Sequence, residues 1–383
     1  LLENQSTNLI TYSEDFSNAF WTKTGASVVS DATTSPDGTI NADKLVEDTS
    51  TGQHNIKKVN SPISSSFYNG KIFVKANGSP KLAFSESGAT GSYLAIDLNN
   101  GNVLASNLLG SYSVNALPNG WFEVNISPNT ANVRFDFAVF LLDANYTTGT
   151  PAGYSYTGDG TSGAYIWGAQ LEALSYPTSY IPTSGQSGGV TRAAETLNNA
   201  GNSDLINSTE GVLYAEISAL SDDLTNRTIA LSDGTTSNTV RIQYLTVSNS
   251  IWATITNIGA GGNQAILQYT SSNITINSKV ALKYKANDFS LFVNGIKVAT
   301  DSSGVTFTSN TLNTFQFDRG NGAESFYGRC KTVAVFSEAL SDTELACLTS
   351  TSNREIFLNY YYRMQYVGAN TEALSCAEQT FNI

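Results

Sequence analysis

The stretch that decides the fold is Lys279-Val-Ala-Leu-Lys-Tyr284, followed by Phe289-Ser-Leu-Phe-Val293, Asn294-Gly295 and Ile296-Lys-Val-Ala299. Short apolar runs rich in Val, Leu, Phe and Tyr are strand material. An Asn-Gly pair between two of them supplies the positive φ that a tight hairpin turn demands. The pattern repeats on both sides. Gly211–Ile217, Thr239–Tyr244 and Ser250–Ile255 alternate polar and apolar residues, the period of a half-buried strand. Phe315–Phe317 and Cys330–Phe336 are later strands. One segment reads helical, Ser341–Leu348, where Ser341 and Glu344 have the spacing of a capping box.

Upstream the pattern is similar. Leu9–Tyr12, Lys71–Lys75, Tyr93–Asp97, Asn102–Ala105, Trp121–Ile126, Val133–Phe140 and Ala164–Glu172 are strands, with Asn99-Asn100-Gly101 turning the third into the fourth. Prolines 177 and 182 and a Gly/Ser run loosen the chain over 175–197. The expected organisation is a first domain over 1–185, a linker over 186–204, a second domain over 205–350 and an aromatic tail over 351–383. The fold class is all-β: two tandem β-sandwich (jelly-roll) domains plus a short C-terminal tail.

Composition agrees. Of 383 residues, 46 are Ser, 42 Thr and 38 Asn, and only 14 % are charged, which excludes coiled coils and helical bundles. Forty-one aromatics exclude a disordered chain. Net charge is −12 with no basic run, so no nucleic-acid partner is expected. No apolar run reaches the length of a membrane span, so no membrane insertion is expected. The chain opens on Leu1 rather than Met, which reads as a fragment or processed form, with no signal peptide expected. Three cysteines leave a Cys330–Cys347 bridge open. The single histidine, His54, reads as an ordinary surface residue and removes histidine-based catalysis and zinc binding.

Two resemblances follow from these residues. Asn8-Leu-Ile-Thr-Tyr-Ser-Glu-Asp-Phe16 with Trp21, Asn119-Gly-Trp-Phe-Glu-Val124, Tyr156–Gly163, Tyr165–Glu172 and Tyr180-Ile-Pro-Thr183 resemble carbohydrate-binding-module jelly rolls of bacteriophage virion proteins. Phe292-Val-Asn-Gly295, Phe326-Tyr-Gly-Arg329, Val333–Phe336 and Ala339–Leu345 resemble the concanavalin A-like laminin-G/pentraxin sandwich. The pairing resembles a tail or head fibre on an exposed virion surface. It implies host-surface glycan and other virion proteins as partners, and a homo-oligomer, a trimer by analogy with fibres. Modules of the first kind hold a structural ion with an acid near the first strand and an Asp on the last. Here the acids are Glu14 and Asp15, and Gly168 stands at the Asp position.

Candidate chemistry is sparse. Glycosidases need two carboxylates across a cleft, and no Glu-x-Asp-x-x-Glu pattern occurs. Asp136 reads as outward-facing beside Arg134, and Asp222–Asp223 as a solvated turn. Sugar binding needs an aromatic face and hydrogen-bonding side chains. Tyr146, Tyr154 and Tyr156 offer these in a Gly/Thr-rich loop; Arg241, Tyr244 and Trp252 offer them in the second domain, with Asp318 and Arg319 nearby. Trp121 and Trp167 read as core. Calcium is the one cofactor considered, through the oxygen-rich loops at Asp159 and Asp318. Phe357, Tyr360, Tyr361 and Tyr362 are too apolar for solvent and read as an assembly surface. The expected function is non-enzymatic glycan adhesion. A purely structural or decoration role and a polysaccharide depolymerase are the alternatives.

Overall fold

A computed structural model describes residues 2–60, 67–86, 91–108, 110–128, 135–197 and 199–350. The tail positions Phe357, Tyr360, Tyr361 and Tyr362 lie outside these, as does Arg134. The protein is all-β, with a single α-helix among the described residues. It divides into two compact units: Gln5–Ala194, and a second made of the first four residues with Glu195 onward.

The first unit has two six-stranded sheets. One runs in the order Val103–Ser106, Tyr93–Asp97, Lys81–Glu86, Phe135–Leu142, His54–Asn60, Thr22–Thr24. The other runs Gly110–Ala116, Trp121–Pro128, Asn69–Asn77, Gly163–Glu172, Ile40–Glu47, Ala26–Thr34. Alternate residues of both meet in one core, with Leu82, Phe84, Phe137 and Val139 from the first and Ile72, Val74, Val124 and Ile126 from the second. Gly168 breaks the pairing of its strand between Trp167 and Gln170. Its φ of +66° is left-handed, and a Cβ there would stand 2.7 Å from the Phe73 ring, so the position selects glycine. Residues 186–204, expected as a linker, carry hydrogen bonds within both units. Val190–Arg192 pairs with Ser6–Asn8 in the first unit. In the second, the Glu195 amide donates to the Glu3 carbonyl, and Ala200 bridges Phe315.

Among its described residues the second unit has ten strands: β1 Glu210–Ala219, β2 Arg227–Ser232, β3 Asn238–Tyr244, β4 Ser250–Asn257, β5 Gly262–Thr270, β6 Ser278–Lys285, β7 Phe289–Val293, β8 Ile296–Asp301, β9 Thr314–Gln316 and β10 Gly328–Phe336. One sheet is ordered β8-β7-β6-β1-β10, the other β5-β4-β3-β2-β9. Leu213, Ile217, Leu282 and Leu291 of the first face Ile229, Ile242, Ile251 and Ile255 of the second in a shared core. The β7–β8 turn is the expected one: Asn294 and Gly295 have φ of +50° and +88°, both in the left-handed region. Helix α1, Asp342–Thr349, begins at Ser341. The Ser341 hydroxyl accepts the Glu344 amide, and the Glu344 carboxylate accepts the Ser341 amide. Leu345 and Leu348 seal the outer face of the first sheet with Val212, Tyr214 and Phe292. Cys330 is a free thiol, so it forms no bridge to Cys347.

Candidate functional site

The outer face of the β5-β4-β3-β2-β9 sheet is the chemically unusual surface. Strand periodicity sends Val240, Ile242 and Tyr244 of β3 into the core, and therefore Thr239, Arg241 and Gln243 out. On β4, Ile251, Ala253 and Ile255 point in, while Trp252, Thr254 and Thr256 point out. Register then builds two rows. Arg241 lies opposite Thr254, which lies opposite Ile266; Gln243 lies opposite Trp252, which lies opposite Gln268. The loop after β9 carries Arg319 and Glu324, and Asn226 precedes β2. Of these, Asn226, Arg241, Gln243, Trp252, Thr254 and Ile266 line an open depression of about 270 Å³ with Arg319 and Glu324.

Its floor is polar and buried. Arg241 is 7 % exposed, and Gln243 and Thr254 are buried beside it. The Thr254 hydroxyl donates to Gln243 Oε1 at 3.0 Å, and Gln243 Nε2 donates to the Thr228 hydroxyl at 3.2 Å. Arg241 Nη2 donates to the Thr256 hydroxyl at 3.1 Å. Arg319 Nη1 reaches Glu324 Oε1 at 2.9 Å, and Glu324 also accepts from Asn226 and Thr228. Arg241 Nε, Arg319 Nε and Asn226 Oδ1 are buried without a partner among the described residues. Trp252 is half-buried, its indole fixed by an Nε1 bond to the Ser250 hydroxyl at 2.7 Å. Burial, and then the charge of Arg319, push the Arg241 guanidinium down to about 10, against a smaller opposing pull from Glu324.

The structure therefore brings Arg241, Trp252 and Arg319 together and separates Tyr244 from them. Residues 241 and 244 have opposite parity, so Tyr244 lies in the core against Phe326. Asp318 is also not a ligand-facing group. It is buried, and its Oδ1 accepts the amides of Gly320 at 2.6 Å and Gly322 at 3.1 Å, building the loop that carries Arg319. Gln243, Thr254, Asn226 and Glu324 were missed by the sequence reading; the first two follow from the parity of Arg241 and Trp252.

The tyrosine loop of the first unit turns its rings inward instead of offering them to a glycan. Tyr146 is 1 % exposed and Tyr156 is buried, while Tyr154 is half-buried between them. Their rings form a ladder, Tyr146 to Tyr154 at 5.0 Å and Tyr154 to Tyr156 at 5.9 Å, continued to His54 at 4.5 Å. Their hydroxyls donate to the Gly149 carbonyl, Asp143 and Glu47. Burial raises the Tyr146 and Tyr154 hydroxyls to about 12. The loop is held inward because Ala83, Ala95, Ala138, Phe140 and Leu142 make the outer face of that sheet apolar and in need of cover.

Asp159, one of the two calcium candidates, is committed locally. It accepts the amides and hydroxyls of Thr161 and Ser162, and these hydrogen bonds hold its carboxyl well below the usual range. Glu14 accepts from Tyr180 and Asn41, and Asp15 from Ser17 and Asn18. Among the described residues no group of three His, Cys, Asp or Glu is placed to hold a metal ion. His54 is a buried residue, not a surface one. Both ring nitrogens face carbonyls, Nδ1 that of Gly25 at 2.5 Å and Nε2 that of Tyr156 at 3.3 Å. Asp136 alternates with the core residues Phe135 and Phe137 and so stands on the outer face of its sheet, but it is buried there. Asp223, expected to be solvated, grips the buried Arg227 with both oxygens at 2.7 and 2.9 Å.

Residues 213–346 match a family model described as the concanavalin A-like lectin/glucanases superfamily, within the 205–350 span that resembles that sandwich. No curated protein matches the chain. Solved structures give distant likenesses. A Ruminococcus gnavus IT-sialidase CBM40 bound to alpha2,3 sialyllactose is 18 % identical, covering 41 % of this chain and 97 % of its own, with a TM-score of 0.33. Sheep galectin-11 in complex with glycerol is 9 % identical over 38 % of this chain and 99 % of its own, TM-score 0.24. Mouse laminin alpha1 chain domains LG4-5 are 11 % identical over 74 % and 90 %, TM-score 0.26. No helix among the described residues is long and apolar enough to cross a membrane.

Proposed function

We propose that the second unit binds a glycan across the outer face of β3, β4 and β5, with Trp252 as the stacking platform. The observation that carries this is a half-exposed, hydrogen-bond-anchored indole standing beside Arg241, Gln243 and Thr254, buried polar groups in one depression. An aromatic face suits the C–H surface of a pyranose, and fixed polar groups set orientation. The lectin members of the superfamily matched by 213–346 support the reading. The test is a broad glycan array and titration calorimetry on the intact chain. Trp252→Ala should weaken the best ligand by about 30-fold, the scale of a central aromatic anchor. An intact chain that binds no saccharide on the array overturns the proposal.

Binding without hydrolysis is the reading we favour for this depression. Glycosidic cleavage takes two carboxylates, whereas Glu324 is the one acid in the lining, and it is tied to Arg319. We further propose that the chain is a surface or fibre component of a bacteriophage virion that adheres to host-surface glycan as a homo-oligomer. The sequence resemblances over 8–197 and 205–350 support that setting. Antibody labelling of purified virions and a mass measurement in solution test it; an unlabelled particle or a monomer counts against it.

A further inference from the structure

Resting on that reading, we propose that the sugar residue seated at Arg241 is anionic, carrying a carboxylate or a sulfate that pairs with the Arg241 and Arg319 guanidinium groups. The reason is an unbalanced charge. Three other buried cations of this chain meet carboxylates, while Lys279 donates to the Ser350 carbonyl. Arg227, on the adjacent strand, is held bidentately by Asp223; Lys71 lies 2.9 Å from Glu123; Lys283 lies 2.8 Å from Asp288. Arg241 is as deeply placed, yet among the described residues it forms no ion pair, and its protein partner is a neutral hydroxyl. Leaving a guanidinium so placed is costly unless something pairs with it.

The nearest acid does not fill the role. Glu324 is spent on Arg319, Asn226 and Thr228. The depression therefore holds two guanidinium groups and one carboxylate, a net positive site in a chain of net charge −12. Its unpartnered donors, Arg241 Nε and Arg319 Nε, are planar N–H groups, which bind oxyanions better than they bind sugar hydroxyls. A neutral sugar would satisfy the donors and leave the charge. The lowered proton affinity of Arg241 is the state an arriving anion reverses.

Three panels of matched oligosaccharides separate the possibilities: neutral, uronic-acid-bearing, and sulfated. Each is titrated against the intact chain by calorimetry and by intrinsic fluorescence, in which Trp252 is the one tryptophan beyond residue 197. The expected result is at least about tenfold tighter binding of an acidic panel than the neutral one, weakened by added salt. Carboxylate-only or sulfate-only binding identifies the anion and supports the proposal. Arg241→Gln and the half-exposed Arg319→Gln should each remove that preference while leaving residual binding on the Trp252 platform; Arg241→Lys should keep part of it. Equal binding of neutral and acidic panels, unchanged in Arg241→Gln, overturns the anionic assignment and leaves glycan binding standing. Binding of no panel overturns both.

Discussion

Two arginines on neighbouring strands give a stability experiment whose outcomes should differ in sign. Arg241 and Arg227 are both buried, but only Arg227 meets a carboxylate. A guanidinium lowered from 12.5 to about 10 is destabilised in the folded chain by about 3 kcal/mol. Arg241→Met keeps an unbranched apolar stem and removes that cost. It loses one hydrogen bond to the Thr256 hydroxyl, worth about 1 kcal/mol, and that hydroxyl keeps its own bond to Asn263. The net is a gain of about 2 kcal/mol, which for a unit of this size raises Tm by roughly 4–8 °C. Arg227→Met strands the Asp223 carboxylate instead and should cost about 3 kcal/mol.

The assay is denaturation of the ligand-free chain followed by fluorescence and calorimetry, with saccharide binding measured on the same samples. Arg241→Met should be more stable and lose the acidic ligand. A variant destabilised by 1 kcal/mol or more would refute the reasoning, because Arg241 would then be holding the fold together rather than waiting for a ligand.

Three further outcomes are expected in the first unit. Burial raises the Asp43 carboxyl to about 6 despite amide bonds from Phe16 and Asp31, so its charge costs stability above that pH and the cost fades as pH drops. Relative to Asp43→Asn, the native chain should gain about 2 kcal/mol between pH 7.5 and 4.5, and a pH-independent difference in denaturation midpoints would contradict this. His54→Leu removes the ring contacts to the Gly25 and Tyr156 carbonyls, the first of which keeps its bond from the Asp48 amide, and should cost about 1–2 kcal/mol by urea titration. Gly168→Ala, at φ +66° against Phe73, should cost about 2 kcal/mol, and an unchanged melting temperature would show that the bulge relaxes.

How much of this was legible depends on how local the cause is. The Asn294-Gly295 hairpin and the Ser341–Glu344 cap are set by residues within a few positions of each other, and both form as expected. Arg241 and Trp252 were legible as a pair because alternation on one hairpin places them on one face. Counting by two would also have excluded Tyr244 and admitted Gln243 and Thr254. The tyrosine loop misled because a loop's composition does not reveal what the loop covers. The run Phe135-Asp-Phe-Ala-Val-Phe-Leu-Leu142 held the missing signal, since a strand apolar on both faces needs cover on both. His54 had no local signal; its partners lie at Gly25 and Tyr156, brought together by sheet pairing alone.

The distribution of unpaired groups argues that the β3–β5 face serves binding more than folding. Sheets whose outer face meets solvent keep their polar side chains wet, and sheets covered on both faces are apolar. This face does neither. Thr239, Arg241, Gln243, Thr254 and Gln316 are buried polar residues, and Thr239 Oγ1, Arg241 Nε and Gln316 Oε1 have no partner among the described residues. Each such group costs about 1–3 kcal/mol if left alone. The opposite sheet of the same unit solves the same problem conventionally, covering Tyr214 and Phe292 with Leu345 and Leu348 of α1. Glu324, which walls the depression, adds a left-handed φ of +55° that a non-glycine residue seldom adopts. A unit able to seal one sheet with leucines could have sealed the other. The anionic ligand proposed above would supply the partner that Arg241 lacks among the described residues.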